Sequence, residues 1–224
     1  MAEASHERPR KSRKRARSDQ VDATKLVESV NALPATRFFE AYYPAILALE
    51  LLHDYKSLVF LQGAARDVSS ETIEQCLKLI EQTSAEDYRS SEIKWSGHKK
   101  RKEMKLPDMK YFILLEHHQV IGFVSFMVTY EDGYEVLYIY EIHFTPEWQG
   151  KGLGKKLMNV VEDIGKKVGV TKVMLTVFRA NQRAVDWYIK LGYAEDEFSP
   201  GPRKLRNGTV KQPSYIILSK SMKD

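Results

Sequence analysis

The chain has 224 residues, 43% hydrophobic and 29% charged, a globular balance that excludes wholesale disorder and collagen-like repeats. A single cysteine, Cys76, excludes an internal disulfide and a thiolate metal cluster, and no apolar run reaches the roughly 18 residues of a membrane span. The formal charge is +5, but Arg8, Arg10, Lys11, Arg13, Lys14, Arg15 and Arg17 carry more than that excess, so the remainder is near neutral and lacks the basic face of a nucleic-acid-binding domain.

Residues 1–19 are polar and basic and are expected to stay disordered, either as an import signal or chromatin contact or as a solvated tail. The lack of an apolar leader and the lone cysteine fit a reducing compartment. Over 20–55 the pattern is helical: Leu26, Val27, Val30 and Leu33, then Phe38, Phe39, Tyr42, Ile46, Leu49 and Leu52 recur at three- and four-residue steps. Pro34 and Pro44 predict two pieces or a kink. A short strand is expected at 56–63. Ser69 or Ser70 then caps a helix with Ile73, Cys76, Leu77 and Ile80 on one face, where Cys76 reads as a small core residue. Residues 86–104 are polar and lysine-rich, with Tyr88, Ile93 and Trp95 as large apolar groups. Trp95 there either anchors the segment or lines a pocket.

Three antiparallel strands follow at 111–116, 120–130 and 134–144, with short turns between them. The period then changes to a helix over 154–168, with Leu157, Met158, Val161 and Ile164 on one face. The strand at 172–177 is apolar throughout and expected to be buried on both faces. A short helix at 184–191 is stopped by Gly192, and strands are expected at 193–198 and 214–219 around a long loop. The whole reads as one α+β domain with a central sheet between helices.

The most informative segment is Glu141-Ile142-His143-Phe144-Thr145-Pro146-Glu147-Trp148-Gln149-Gly150-Lys151-Gly152-Leu153-Gly154. Alternate glycines between a strand and a helix start let backbone amides converge on an anionic phosphate, although a tight turn alone would also use them. No Lys-Ser/Thr pair follows the last glycine, which argues against a nucleoside triphosphate loop. The loop also comes late, after antiparallel strands, which argues against a dinucleotide fold.

Gln149, Gly152 and Gly154 resemble the diphosphate signature of the GNAT superfamily of acetyl-CoA-dependent N-acetyltransferases. Asn181, Ala184, Tyr188 and the Leu191-Gly192-Tyr193 ending match its second signature. Within it, Glu135-Val136-Leu137-Tyr138-Ile139-Tyr140-Glu141, the loop Lys151 to Lys155, Lys172 to Phe178 and Ser214-Tyr215 are similar to the N-terminal acetyltransferase D family. That family acetylates the α-amino group of histones H4 and H2A at Ser-Gly-Arg-Gly termini. The resemblance implies a GNAT fold over 56–224, with a mixed, mostly antiparallel sheet, flanking helices and the 20–55 helical segment packed on it. It implies acetyl-CoA as cofactor, histone tails as partners and residence in nucleus and cytoplasm. A monomer without stable nucleic-acid or membrane contact is expected. One departure stands out: the family pattern has two tryptophans where this chain has Ile93 and Trp95.

Acyl transfer from a thioester needs a free amine, a stabilised oxyanion and a proton for the thiolate. The implied cofactor site comprises Ile142, His143 and Phe144 (backbone amides), Gln149, Gly150, Lys151, Gly152, Leu153, Gly154 and Asn181. Glu141 is expected as the base, with Tyr140 beside it. Tyr188 is either the proton donor to the thiolate or a core aromatic. Tyr88, Trp95, Tyr138, Thr176 and Tyr215 are implied acceptor contacts. In a regular strand Tyr138 and Tyr140 share a face opposite Glu141, so both Tyr140 and Glu141 reach the cleft only if the strand carries a bulge. Arg203, Lys204, Arg206 and Lys211 in the 199–213 loop would repel an acceptor arginine unless they point away. No histidine spacing suits a metal. The alternatives are a lysine or polyamine acetyltransferase on the same fold, and a non-catalytic chromatin-binding module.

Overall fold

The computed structural model describes residues 17–44, 46–204 and 206–223, with only the backbone at 17–21, 46, 49 and 50. The basic stretch 1–16 lies outside them, and with it most of the expected tail. Helix α1 (Arg17–Asn31) begins inside the segment expected to be disordered. The prolines divide the N-terminal segment into three pieces rather than two, since α2 (Ala35–Tyr42) follows Pro34 and α3 (Ile46–Leu51) follows Pro44. Neither proline can continue a helix begun before it.

Seven strands form one sheet in the order β1-β2-β3-β4-β5-β9-β6. These are β1 (Leu58–Ala64), β2 (Lys110–Glu116), β3 (Gln119–Glu131), β4 (Tyr134–Phe144), β5 (Lys172–Phe178), β6 (Ala194–Glu195) and β9 (Tyr215–Ser221). All neighbours are antiparallel except β4 and β5. The two-residue turns joining β2 to β3 and β3 to β4 place His117, His118, Asp132 and Gly133 at positive φ, the geometry that matches strand twist in tight hairpins. The last part departs from expectation. Strand 193–198 shrinks to β6 because the Asp196 carboxylate accepts the Phe198 amide at 3.0 Å and turns the chain. The expected loop 199–213 contains a small hairpin of β7 (Arg203–Lys204) and β8 (Val210–Lys211).

Helices cover both faces. On one side α1 and α2 join α6 (Leu153–Val168) and α7 (Gln182–Lys190) in a single apolar core. Phe38, Phe39 and Tyr43 are buried there, the last two against Phe112, which also packs on Phe60 and Phe126. On the other side α4 (Ser70–Ser90), capped by the Ser69 hydroxyl on the Thr72 amide, and α5 (Gly97–Met104) cover a second cluster. The sequence analysis expected no helix in the polar stretch that forms α5. Cys76 lies fully buried in this second cluster, and burial pushes its thiol pKa up.

Candidate active site

Strand β4 organises the site on both of its edges. Its pairing with β5 ends at Ile139 opposite Leu175, although β4 runs on to Phe144 and β5 to Phe178. Beyond that point the strands part, and a cleft of about 1650 Å³ opens between them. On the β3 side, Ser125 faces Glu141 while its neighbour Phe126 faces Ile139. Tyr140 is therefore the extra residue of a β-bulge, and both Tyr140 and Glu141 line the cleft.

Glu141 is a buried carboxylate in a chain of polar groups. Its Oε1 is 2.7 Å from Lys100 Nζ and its Oε2 is 2.6 Å from His143 Nε2. The other imidazole nitrogen meets Thr83 Oγ1 at 2.7 Å, and Lys100 also donates to Glu103 at 2.5 Å. Burial alone would raise the Glu141 pKa, but the Lys100 charge and the His143 hydrogen bond outweigh it and hold it at about 2. The same two carboxylates keep the Lys100 ammonium charged against its own burial. So placed, Glu141 is ionised and a weak base. The geometry leaves its carboxylate beside the cleft, held on one side by the ammonium and on the other by the imidazole.

Aromatic rings form the walls around it. Tyr88 packs edge-on against Trp95 (5.4 Å between centroids) and Phe178 (4.8 Å), while Trp95 Nε1 donates to Glu81 at 3.1 Å. Trp95 thus both anchors its segment and lines the cleft. Burial, reinforced by the Glu141 charge, pushes Tyr88 up to about 12. Tyr138 and Thr176 share a hydrogen bond of 2.5 Å across β4 and β5. Tyr188 is buried among Trp187 and Tyr193, so its packing role is real. It also lines the cleft, and its hydroxyl has no hydrogen-bond partner among the described residues. Burial first, then Glu141, pushes its pKa up, so the phenol keeps its proton.

At the other end, Gly150 and Gly152 adopt φ of 74° and 84°, values that side chains resist. A Cβ at either would meet nothing within 4 Å. Gly150, Gly152 and Gly154 all line the cleft at the start of α6, together with Lys155, Arg183 and Lys190.

Residues 74–193 match the Acetyltransferase (GNAT) family. The chain belongs to that family. Two curated relatives are N-alpha-acetyltransferase 40 of Saccharomyces cerevisiae, 29% identical over 156 residues (59% of this chain, 55% of the relative), and an uncharacterised N-acetyltransferase of Methanocaldococcus jannaschii, 27% identical over 141 residues (61% and 62%). The matches therefore span less than two thirds of either relative's length. Among solved structures, the PaiA N-acetyltransferase of Thermoplasma acidophilum in complex with coenzyme A superposes with a TM-score of 0.53 at 20% identity, covering 74% of this chain and 99% of that one. The ribosomal-protein-S18-alanine N-acetyltransferase of Escherichia coli gives 0.51 at 19% identity, covering 74% and 96%. At these identities the likeness shows the GNAT fold.

Acetyl-CoA is the cofactor of the GNAT family, and the residues present fit it. The open positions over Gly150 and Gly152, the helix start and three neighbouring cations suit a diphosphate. Several expected cofactor residues are placed differently, however. Lys151 and Leu153 alternate with the glycines and turn their side chains away, Leu153 into the core and Lys151 over the Trp148 ring. Asn181 lines the cleft, but its side chain accepts from the Ala184 amide and donates to Asp87. Gln149 donates to the Phe144 carbonyl at 3.0 Å and closes the end of β4. Ile142, His143 and Phe144 line the cleft along the β4 edge that β5 leaves unpaired. Tyr215, opposite Phe178 on β9, stands one strand outside the lining residues.

The sequence reading missed Lys100, Glu103, Thr83 and Glu131, and missed the part taken by the His143 side chain. Lys100 looked like one charge in a solvated run. The available signal was Ser96 three residues before Lys99 as an N-cap, then Lys100 and Met104 four apart on one buried face. Glu131 also lines the cleft, and burial, then Asp132, raises its pKa. None of Arg203, Lys204, Arg206 and Lys211 lines it, and Lys211 pairs with Glu92 at 3.0 Å.

Proposed function

We propose that this chain transfers an acetyl group from acetyl-CoA to the α-amino group of a protein N-terminus, of the Ser-Gly-Arg-Gly type carried by histones H4 and H2A. The observation that carries this reading is a single cleft with two chemically distinct ends. An anion-binding glycine turn lies at one, and a carboxylate-containing aromatic box at the other. The similarity to a yeast N-alpha-acetyltransferase over 59% of the chain supports an N-terminal acceptor. A cationic histone terminus fits Glu131 on the lining, with the basic hairpin outside it. The basic segment before α1 suits import to where histones are deposited, alongside a cytoplasmic pool.

The bound cofactor supplies an activated thioester. The protein's part is to bind, orient and manage protons. An α-amino group has a reference pKa of roughly 7.7–8.0, against about 10.4 for lysine, so near neutrality an N-terminal acceptor sheds its proton to water without a strong base. The fixed Glu141 charge orients His143 and favours a cationic amine arriving beside Tyr140. Backbone amides on the β4 edge that β5 leaves unpaired stabilise the developing oxyanion. Tyr188, whose phenol is protonated and free, supplies the proton to the leaving thiolate.

The test is a panel of peptides differing only in their first four residues, incubated with acetyl-CoA and sequenced by fragmentation mass spectrometry. Acetyl on residue one of Ser-Gly-Arg-Gly, lost when that terminus is blocked, supports the proposal. Acetyl on lysine side chains of the blocked peptide overturns it in favour of a lysine acetyltransferase. Failure to bind coenzyme A in calorimetry would instead indicate a binding module.

A further inference from the structure

The segment joining α3 to β1 reaches the glycine turn from behind. Tyr55 Oη donates a hydrogen bond of 2.7 Å to the carbonyl of Lys151, 96 residues away. Tyr55 is itself held in place, its amide donating to Leu52 and its carbonyl accepting from Leu58. Around this bond, the Trp148 ring meets the Tyr55 ring edge-on at 6.1 Å, and Lys151 Nζ lies 4.2 Å over Trp148. In the first turn of α6, Lys156 donates to the Leu51 carbonyl at 3.1 Å and pairs with Asp54 at 3.7 Å. The N-terminal segment thus grips the loop on its convex side and the helix that follows it.

This contact fixes the orientation of one peptide plane. The C=O of Lys151 and the N–H of Gly152 belong to the same trans peptide, so they point in opposite directions. A hydroxyl that draws the carbonyl outward turns the Gly152 N–H toward the cleft, which Gly152 lines. That N–H finds no acceptor among the described residues. A plane with a glycine at positive φ on one side rotates more easily than one between two side-chain-bearing residues, so without an outside partner the donor would sample other directions. Preorganised donors bind anions better because the ordering is already done.

We propose that Tyr55 is a positioning residue for the cofactor loop: its hydroxyl sets the Lys151–Gly152 peptide so that the Gly152 amide meets the diphosphate of acetyl-CoA. The inference rests on reading the glycine turn as the diphosphate site. Tyr55→Phe removes only the hydroxyl and keeps the ring packed on Trp148. Losing one net hydrogen bond's worth of ordering weakens binding about three- to tenfold.

The experiment measures the calorimetric Kd for coenzyme A in wild type and Tyr55→Phe. It is paired with kcat/KM for acetyl-CoA and for S-acetylpantetheine, which lacks the diphosphate. The expected result is a three- to tenfold rise in Kd and a matching fall in kcat/KM with acetyl-CoA, with S-acetylpantetheine unaffected. A Kd within a factor of two of wild type overturns the inference. So does an equal loss with both donors, which would mean that losing the hydroxyl had loosened the fold generally. If wild type itself does not bind coenzyme A, it is the underlying reading of the site that fails.

Discussion

Gly122 lies on β3 directly opposite Phe144, the last residue of β4. Its missing side chain is occupied space, since a Cβ there would overlap three carbons of the Phe144 ring. The backbone at Gly122 is not in the left-handed region, so Gly122→Ala tests packing alone. Forcing a methyl into a packed core costs about 1–3 kcal/mol. If the ring is expelled instead, the lost burial of a phenylalanine is about 1.5–3 kcal/mol. The reduced freedom of the unfolded chain offsets about 0.4–1 kcal/mol of this. The net expectation is a loss of about 0.5–2.5 kcal/mol, or roughly 1–10 °C in Tm for a domain of this size. Urea titrations followed by circular dichroism should be run on wild type, Gly122→Ala, Phe144→Leu and the double variant. The smaller leucine leaves room for the methyl, so Gly122→Ala should cost less than half as much in that background. The same ring lines the cleft, 3.6 Å from where a Cβ on Gly154 would sit, so acetyl-CoA binding should weaken along with stability. Equal costs in the two backgrounds, or a Gly122→Ala protein as stable as wild type, would refute the packing argument.

Three further outcomes follow from the polar chain. Lys100→Met strands the Glu141 carboxylate, with both side chains less than a tenth exposed. It should cost about 3 kcal/mol in urea unfolding at pH 8, and Lys100→Met/Glu141→Gln should recover most of it because the pair is removed together. Glu141, held at about 2 in the fold, contributes stability that is present above its unfolded pKa of about 4.3 and lost as pH falls through 2. The stability gap between wild type and Glu141→Gln should therefore shrink by about 1.4 kcal/mol per pH unit as pH falls from about 4 toward 2. A gap that stays constant as pH falls from about 4 toward 2 would contradict the assigned ionisation. Tyr188→Phe should lower kcat about 100-fold or more while leaving the Kd for coenzyme A within a factor of two. An unchanged kcat would assign the proton to water.

The sheet and the glycine turn were legible because each has a strong local cause. The β-branched and aromatic runs of β2, β3 and β4 and their two-residue turns allow little else, and Gly150 and Gly152 occupy backbone conformations that other residues avoid. The strand-face conflict between Tyr140 and Glu141 was also legible as a demand for a bulge, although only the partner strand reveals that the jump falls beside Phe126. What escaped is non-local. Lys100 acquires its meaning from Glu141, 41 positions away, and Tyr55 from a carbonyl on the far side of the sheet sequence. Neither residue type nor periodicity encodes such a pairing. Glu141 is the same case: its place beside the glycine turn was legible, but the ammonium and imidazole that hold its carboxylate were not.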